Sequence, residues 1–185
     1  LTVLSIALAT LLLLSFERMR SDVRESFSQS VSGTDLIVGA RTGTVQLMLY
    51  AVFHVGGATN NIRIDSLEAI AKHRAVDWVV PLSLGDSHRG FAVLGTTPDY
   101  FQRFQYGDHV PLAFAQGRSF RGNLDGQYDT VVGAEVAQAL GYRLGQRVTL
   151  SHGSGAIPGA EHADKPFTVV GILQRTGTPV DRTVH

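Results

Sequence analysis

TVVGAEVAQALGYRLGQRVTL, residues 130–150, is the stretch on which the fold turns. Thr130, Val131 and Val132 form a β-branched run that stops at Gly133, which reads as a buried strand. A helix follows from about Ala134 to Leu140, with Val136, Ala137 and Leu140 as its inner positions. Gly141 is placed to cap it, because glycine takes the left-handed backbone at a helix C-terminus without steric cost. Gly145 then marks a turn, and RVTL opens another strand. Strand, short helix and strand within twenty-one residues make one packed corner.

Working outward, HGSGAIPGAEHADK (152–165) reads as a Gly-rich loop, PFTVVGILQ (166–174) as a strand, and TGTPVDRTVH as a tail that trails away. Upstream, residues 107–126 are rich in glycine and charge, and 98–104 read as a turn and short helix. VDWVVPLSLG (76–85) and GFAVLGTT (90–97) read as two strands around the loop DSHR. DSLEAIAKH (65–73) carries a capping-box pattern, Asp65 three residues before Glu68. TVQLMLYAVF (44–53) reads as a helix and DLIVGA (35–40) as a buried strand. Helices and strands are interspersed without a strict βαβ repeat, which predicts α+β.

The N-terminal end is different. Residues 1–16, LTVLSIALATLLLLSF, carry no charge, and Glu17, Arg18 and Arg20 follow at once. A membrane-crossing helix takes about 20 apolar residues, so this run reads as an incomplete transmembrane helix. A signal peptide fits less well, because its small-x-small site, Ala7-Leu8-Ala9, is followed by four leucines. A buried core helix is the third reading. Beyond the run, Phe16, Met19, Val23 and Phe27 recur at helical spacing among charged residues. Residues 17–32 therefore read as a stalk continuing the membrane helix. The start at Leu1 and the end at TPVDRTVH read as those of a piece of a longer chain.

Composition excludes several classes. Sixteen basic residues balance sixteen acidic ones, so there is no electrostatic footprint for nucleic acid. There is no cysteine, hence no disulfide, zinc-thiolate site or cysteine nucleophile. GxxxxGK[ST], GxSxG, HExxH and a strand-linked GxGxxG are all missing. The one metal-like constellation is His152, Glu161, His162 and Asp164 in the Gly-rich loop, whose spacing is poor for a site. Asp125 and Asp129 read as solvated carboxylates rather than an acid–base pair. Trp78 reads as core rather than a binding platform.

The order VVPLSL, FAVLGTTPDYF, GRSF, VVGAEVAQALGYRLGQRVTL, FTVVGIL resembles the periplasmic core domain of MacB-like ABC transporter permeases. That superfamily includes FtsX-like and lipoprotein-releasing permeases. The resemblance covers about residues 76–173, and its glycines, Gly95, Gly133, Gly141, Gly145 and Gly171, fall where strands end or turn. It implies a two-lobed extracytoplasmic α+β domain behind the transmembrane and stalk helix. The membrane-proximal lobe would comprise 33–97 and 166–185, and an inserted second lobe 98–165.

The resemblance further implies a permease subunit that is not an enzyme and holds no cofactor of its own. ATP would be bound by a partner, a cytoplasmic ABC ATPase. A second permease copy or paralogue, membrane lipid and a periplasmic protein are the other partners expected, at the cell inner membrane. Met19, Val23 and Phe27 are the coupling residues this reading selects. Two rivals stand beside it: an extracytoplasmic sensor domain of a receptor, and a membrane-anchored metal-dependent protein using His152, His162 and Asp164.

Overall fold

The computed structural model describes residues 2–56, 60–152 and 166–185, without the side chains of 23–29 and 152. The elements in chain order are α1 (Thr2–Ser30), α2 (Thr44–Ala51), α3 (Ile64–Ala71), β1 (Ser83–His88), β2 (Phe91–Gly95), α4 (Asp99–Arg103), β3 (Gln105–Tyr106) and β4 (Val110–Pro111). There follow β5 (Phe114–Gly117), β6 (Asp129–Val132), α5 (Ala134–Leu140), β7 (Arg147–Val148), β8 (Ser151–His152), β9 (Phe167–Leu173) and β10 (Thr183–Val184). The fold is α+β, as the interspersed pattern predicts.

Eight strands make one mixed sheet in the order β5-β9-β6-β10-β2-β1-β8. Pairing is parallel for β6–β9 and β10–β2 and antiparallel for the other pairs. β7 pairs with the N-terminal part of β9 and β5 with its C-terminal part, so the two share one edge. β3 and β4 form a separate hairpin.

The central strands read as unbroken apolar runs because both faces of the sheet are covered. On β2, β6 and β9, neighbours point to opposite sides. Leu94, Val131 and Leu173 enter one core with Tyr100, Phe101 and Val180. Val93, Val132 and Ile172 enter the other with Val136, Val148 and Val184. Residues such as Val131, Val132 and Val136 are fully buried, and each such side chain stabilises the fold by roughly 1.5–3 kcal/mol.

The first core draws on residues 84 and 94, on 100, 101, 112 and 131, and on 173 and 180. The proposed lobes 33–97 with 166–185 and 98–165 thus share one core and one sheet. The strands that would hold the second lobe together, β5 and β6, are hydrogen-bonded to β9 of the first.

The corner at 130–150 forms as read. Gly133 is the N-cap of α5, Gly141 caps its C-terminus at φ 67°, and Gly145 turns at φ 83°. Gly133 also allows a close approach: a Cβ there would run into the carbonyl oxygens of Val180 and Asp181.

Four local expectations are corrected. Residues 35–40 form no strand; Leu36 and Val38 are exposed, so there is no core for them to pair into. The 76–85 strand begins only at Ser83, and DSH lies within β1, leaving Arg89 and Gly90 as a two-residue turn at φ 48° and 84°. The capping box at Asp65 does not form. Arg63 is the N-cap, without a side-chain cap, and takes Asp65 as an ion-pair partner at 2.7 Å. The tail does not trail away: Pro179–Arg182 is a 3-10 turn, and β10 inserts between β6 and β2.

Candidate functional site

The element that sets this chain apart is α1, and its seat on the domain is the candidate site. Its 29 residues at 1.5 Å each make a rod about 43 Å long. The helix is unbroken through Phe16, where the apolar run meets charge. Thr2–Asp22 is a candidate membrane span of 21 residues with mean hydropathy 1.6, and none of it is buried against the domain. At 1.5 Å rise this covers roughly 30 Å, the thickness of a bilayer's hydrocarbon core. Thr10 returns its hydroxyl to the Ile6 carbonyl at 2.8 Å, which satisfies the one threonine in the middle of the span.

Above the apolar run the surface turns polar. Arg18 pairs with Asp22 at 3.2 Å and Glu17 with Arg20 at 3.7 Å, all four exposed. Met19, the first of the three residues expected to couple, is exposed. The side chains of Val23 and Phe27 lie outside the described residues; their backbone continues α1.

The rod ends on the domain rather than in solvent. Ser30 is buried, and the Ser32 amide donates to the Gln105 carbonyl at 2.9 Å, bridging the chain after α1 to β3. Gly33 turns the chain away at φ 67°, with the Gln105 side chain against it. That side chain is in turn held by His109 Nδ1 at 3.1 Å, across the β3–β4 turn.

A second attachment follows thirteen residues after α1 ends, through α2. Tyr50 exchanges both hydrogen bonds with the backbone of Leu84 on β1, Val52 is buried, and His54 Nδ1 meets Thr183 Oγ1 of β10 at 2.7 Å. The rest of α2 is loosely covered: Val45 and Leu49 are exposed. Burial pushes the Tyr50 phenol up and the His54 imidazole down to about 4.

Elsewhere among the described residues, polar side chains tie elements of the fold together. Buried His88 donates from Nδ1 to the Thr149 carbonyl at 2.7 Å, and its Nε2 accepts from Tyr142 at 2.6 Å. This ties β1 to the segment after α5. Asp129 pairs with Arg118 at 3.0 Å, and Trp78 is half-buried with Arg103 above its ring, outside both cores. Of the metal-like set, His162 and Asp164, with Glu161, lie outside the described residues, as does the His152 side chain. Among the described residues no group of three or more His, Cys, Asp or Glu converges. The seat of α1 and the α2 attachment have no sequence signature, because both depend on pairings between distant residues: Ser32 with Gln105, Tyr50 with Leu84 and His54 with Thr183.

The profile of the MacB-like periplasmic core domain matches residues 1–184. The chain is 29% identical over 99 residues to the lipoprotein-releasing system transmembrane protein LolC of Neisseria meningitidis serogroup B, a match covering 52% of this chain. It spans about a quarter (23%) of that relative's length. The extracellular domain of the noncanonic ABC-type transporter YknZ from Gram-positive bacteria superposes with a TM-score of 0.43 at 17% identity, over 66% of this chain and 60% of that one. With the match running through α1, both edges of the sheet and β10, the chain belongs to the family of MacB-like periplasmic core domains.

Proposed function

We propose that the chain is the anchored, extracytoplasmic part of an ABC transporter permease subunit and that α1 works as its lever. The supporting observation is the rod: one unbroken helix from Thr2 to Ser30, bare along its apolar part and fastened at its far end to Gln105. A rigid element joined to a folded domain carries displacement from one end to the other. ATP binding and hydrolysis by a partner ATPase in the cytoplasm would shift the membrane part of α1. The domain would do its work outside the inner membrane, with no cofactor of its own. A second permease copy or a paralogue would present the opposing helix, and Met19, Val23 and Phe27 would form the contact stripe. Similarity to a transmembrane protein of a lipoprotein-releasing system supports the same class.

The test is reconstitution of the complete transporter in vesicles. Val23→Asp with Phe27→Asp is expected to leave ATP hydrolysis running while extracytoplasmic work is lost. Unchanged coupling in this variant would remove the stripe from the mechanism. Loss of the soluble domain's circular dichroism would instead mark a folding role.

A further inference from the structure

His54 occupies an unusual place. It takes a left-handed backbone at φ 54° where α2 ends, a conformation uncommon for a residue with a Cβ. Its ring reaches β10, and the direction of that hydrogen bond can be assigned. Thr183 Oγ1 donates its own proton to the Pro179 carbonyl at 2.9 Å, so it accepts from His54 Nδ1. The proton on Nδ1 leaves Nε2 as the titrating atom of a neutral ring.

Among the described residues no charged group compensates a proton on that ring, and burial disfavours it. His185 lies close enough to repel a cation, and both its ring nitrogens are buried without a partner among the described residues. Tyr50 and Tyr100 are phenols that burial pushes up, so both stay neutral in acid. Asp181 is the nearest carboxylate in sequence to Thr183. Both its oxygens are taken, by the amides of Thr176 and Gly177 and by the Thr176 hydroxyl. A proton on His54 therefore enters a half-buried site with no anion to meet it among the described residues.

We infer that His54 and Thr183 form an acid-sensitive latch that fastens α2, the second attachment after the membrane helix, to the central sheet. Neutral His54 holds the latch closed. Protonation of Nε2 favours the state in which α2 has lifted and the imidazolium is in water. His185 is not released by the same movement, because its ring packs on Tyr100 and Phe101 of α4. A domain outside the inner membrane has the pH of its surroundings, so the latch would loosen in acid. The inference does not depend on the coupling reading, since lifting of α2 is observable without ATP or cargo.

Native-state hydrogen exchange on the 185-residue chain, with its membrane helix held in detergent micelles, tests this. After correction for intrinsic rates, protection at the amides of Val52 and Val55, which bond to Met48 and Leu49, should fall as the pH drops from 7 to 4.5. The slope should approach tenfold per pH unit at the steepest, and these amides should open more readily than Val169 in the core. In His54→Asn that slope should vanish, because Asn tolerates left-handed backbone and can still donate to Thr183. Thr183→Val should lower protection of α2 at every pH. A flat profile in the original chain, an unchanged slope in His54→Asn, or α2 amides that exchange only together with Val169 would each overturn the latch.

Discussion

The amide of Ser32 donates to the carbonyl of Gln105 at 2.9 Å, two residues beyond the end of a 29-residue helix. This bond is where the long apolar helix, a candidate membrane span, meets the β3–β4 hairpin of the domain. Gly33 beside it makes the turn that lets the chain leave the hairpin.

Gly33→Ala should loosen that joint. A side chain in left-handed backbone costs about 1–2 kcal/mol. The second problem, contact of the new Cβ with Gln105 Oε1 at 2.6 Å, is relieved by rotating a flexible side chain. Backbone strain therefore dominates, and Gly33→Asn should cost less than Gly33→Ala. Exchange of the Ser32 amide measures both, and equal protection in the two variants and the original would contradict the assignment.

Gly133→Ala should be worse tolerated. Here the added Cβ meets the backbone oxygens of Val180 and Asp181, which no rotamer change can move. The 3-10 turn would have to back away from α5, pulling Val180 from its core. A loss of about 1–3 kcal/mol, the usual cost of overpacking, is expected in urea unfolding, without the left-handed strain that applies at Gly33.

Stability should fall in acid through His54. The unfolded side chain takes up its proton near its ordinary value of 6.5, and the folded one only near about 4. Unfolded chains thus bind more protons between those values, and folding is penalised as the pH drops from 6.5 towards 4. At 1.36 kcal/mol per unit the loss amounts to roughly 3 kcal/mol by pH 4. The difference between the original chain and His54→Asn, followed by urea unfolding across that range, isolates it. Parallel curves would show that His54 does not titrate as placed.

The absence of cysteine makes the membrane claim easy to probe. Leu8→Cys should resist a membrane-impermeant maleimide in vesicles, while Ser66→Cys on exposed α3 should react when its side faces the reagent. Equal labelling of both in intact vesicles would place α1 outside the bilayer.

The corner around Gly133, Val136 and Gly141 was legible because its signals are local: a β-branched run, a short apolar face, a glycine free to turn left-handed. α1 was legible for the same reason, since sixteen uncharged residues in a row mark a candidate membrane span. Residues 35–40 misled, because an apolar run predicts burial only if a partner surface reaches it. The segment 176–185 misled in the opposite way. Its composition suggests a loose tail, yet Thr183 and Val184 are enclosed between Ala92, Val93 and Val132.

The sequence alone determined the apolar N-terminal helix, the strand–helix–strand corner, the α+β class and the family. Those local features are set by side-chain branching, charge and backbone freedom over a few neighbouring residues. Only the tertiary structure decided that the two expected lobes share one sheet, that β10 closes it, and that His54 reaches Thr183. These depend on residues up to 129 positions apart, and their register follows from how both faces of the sheet are filled together.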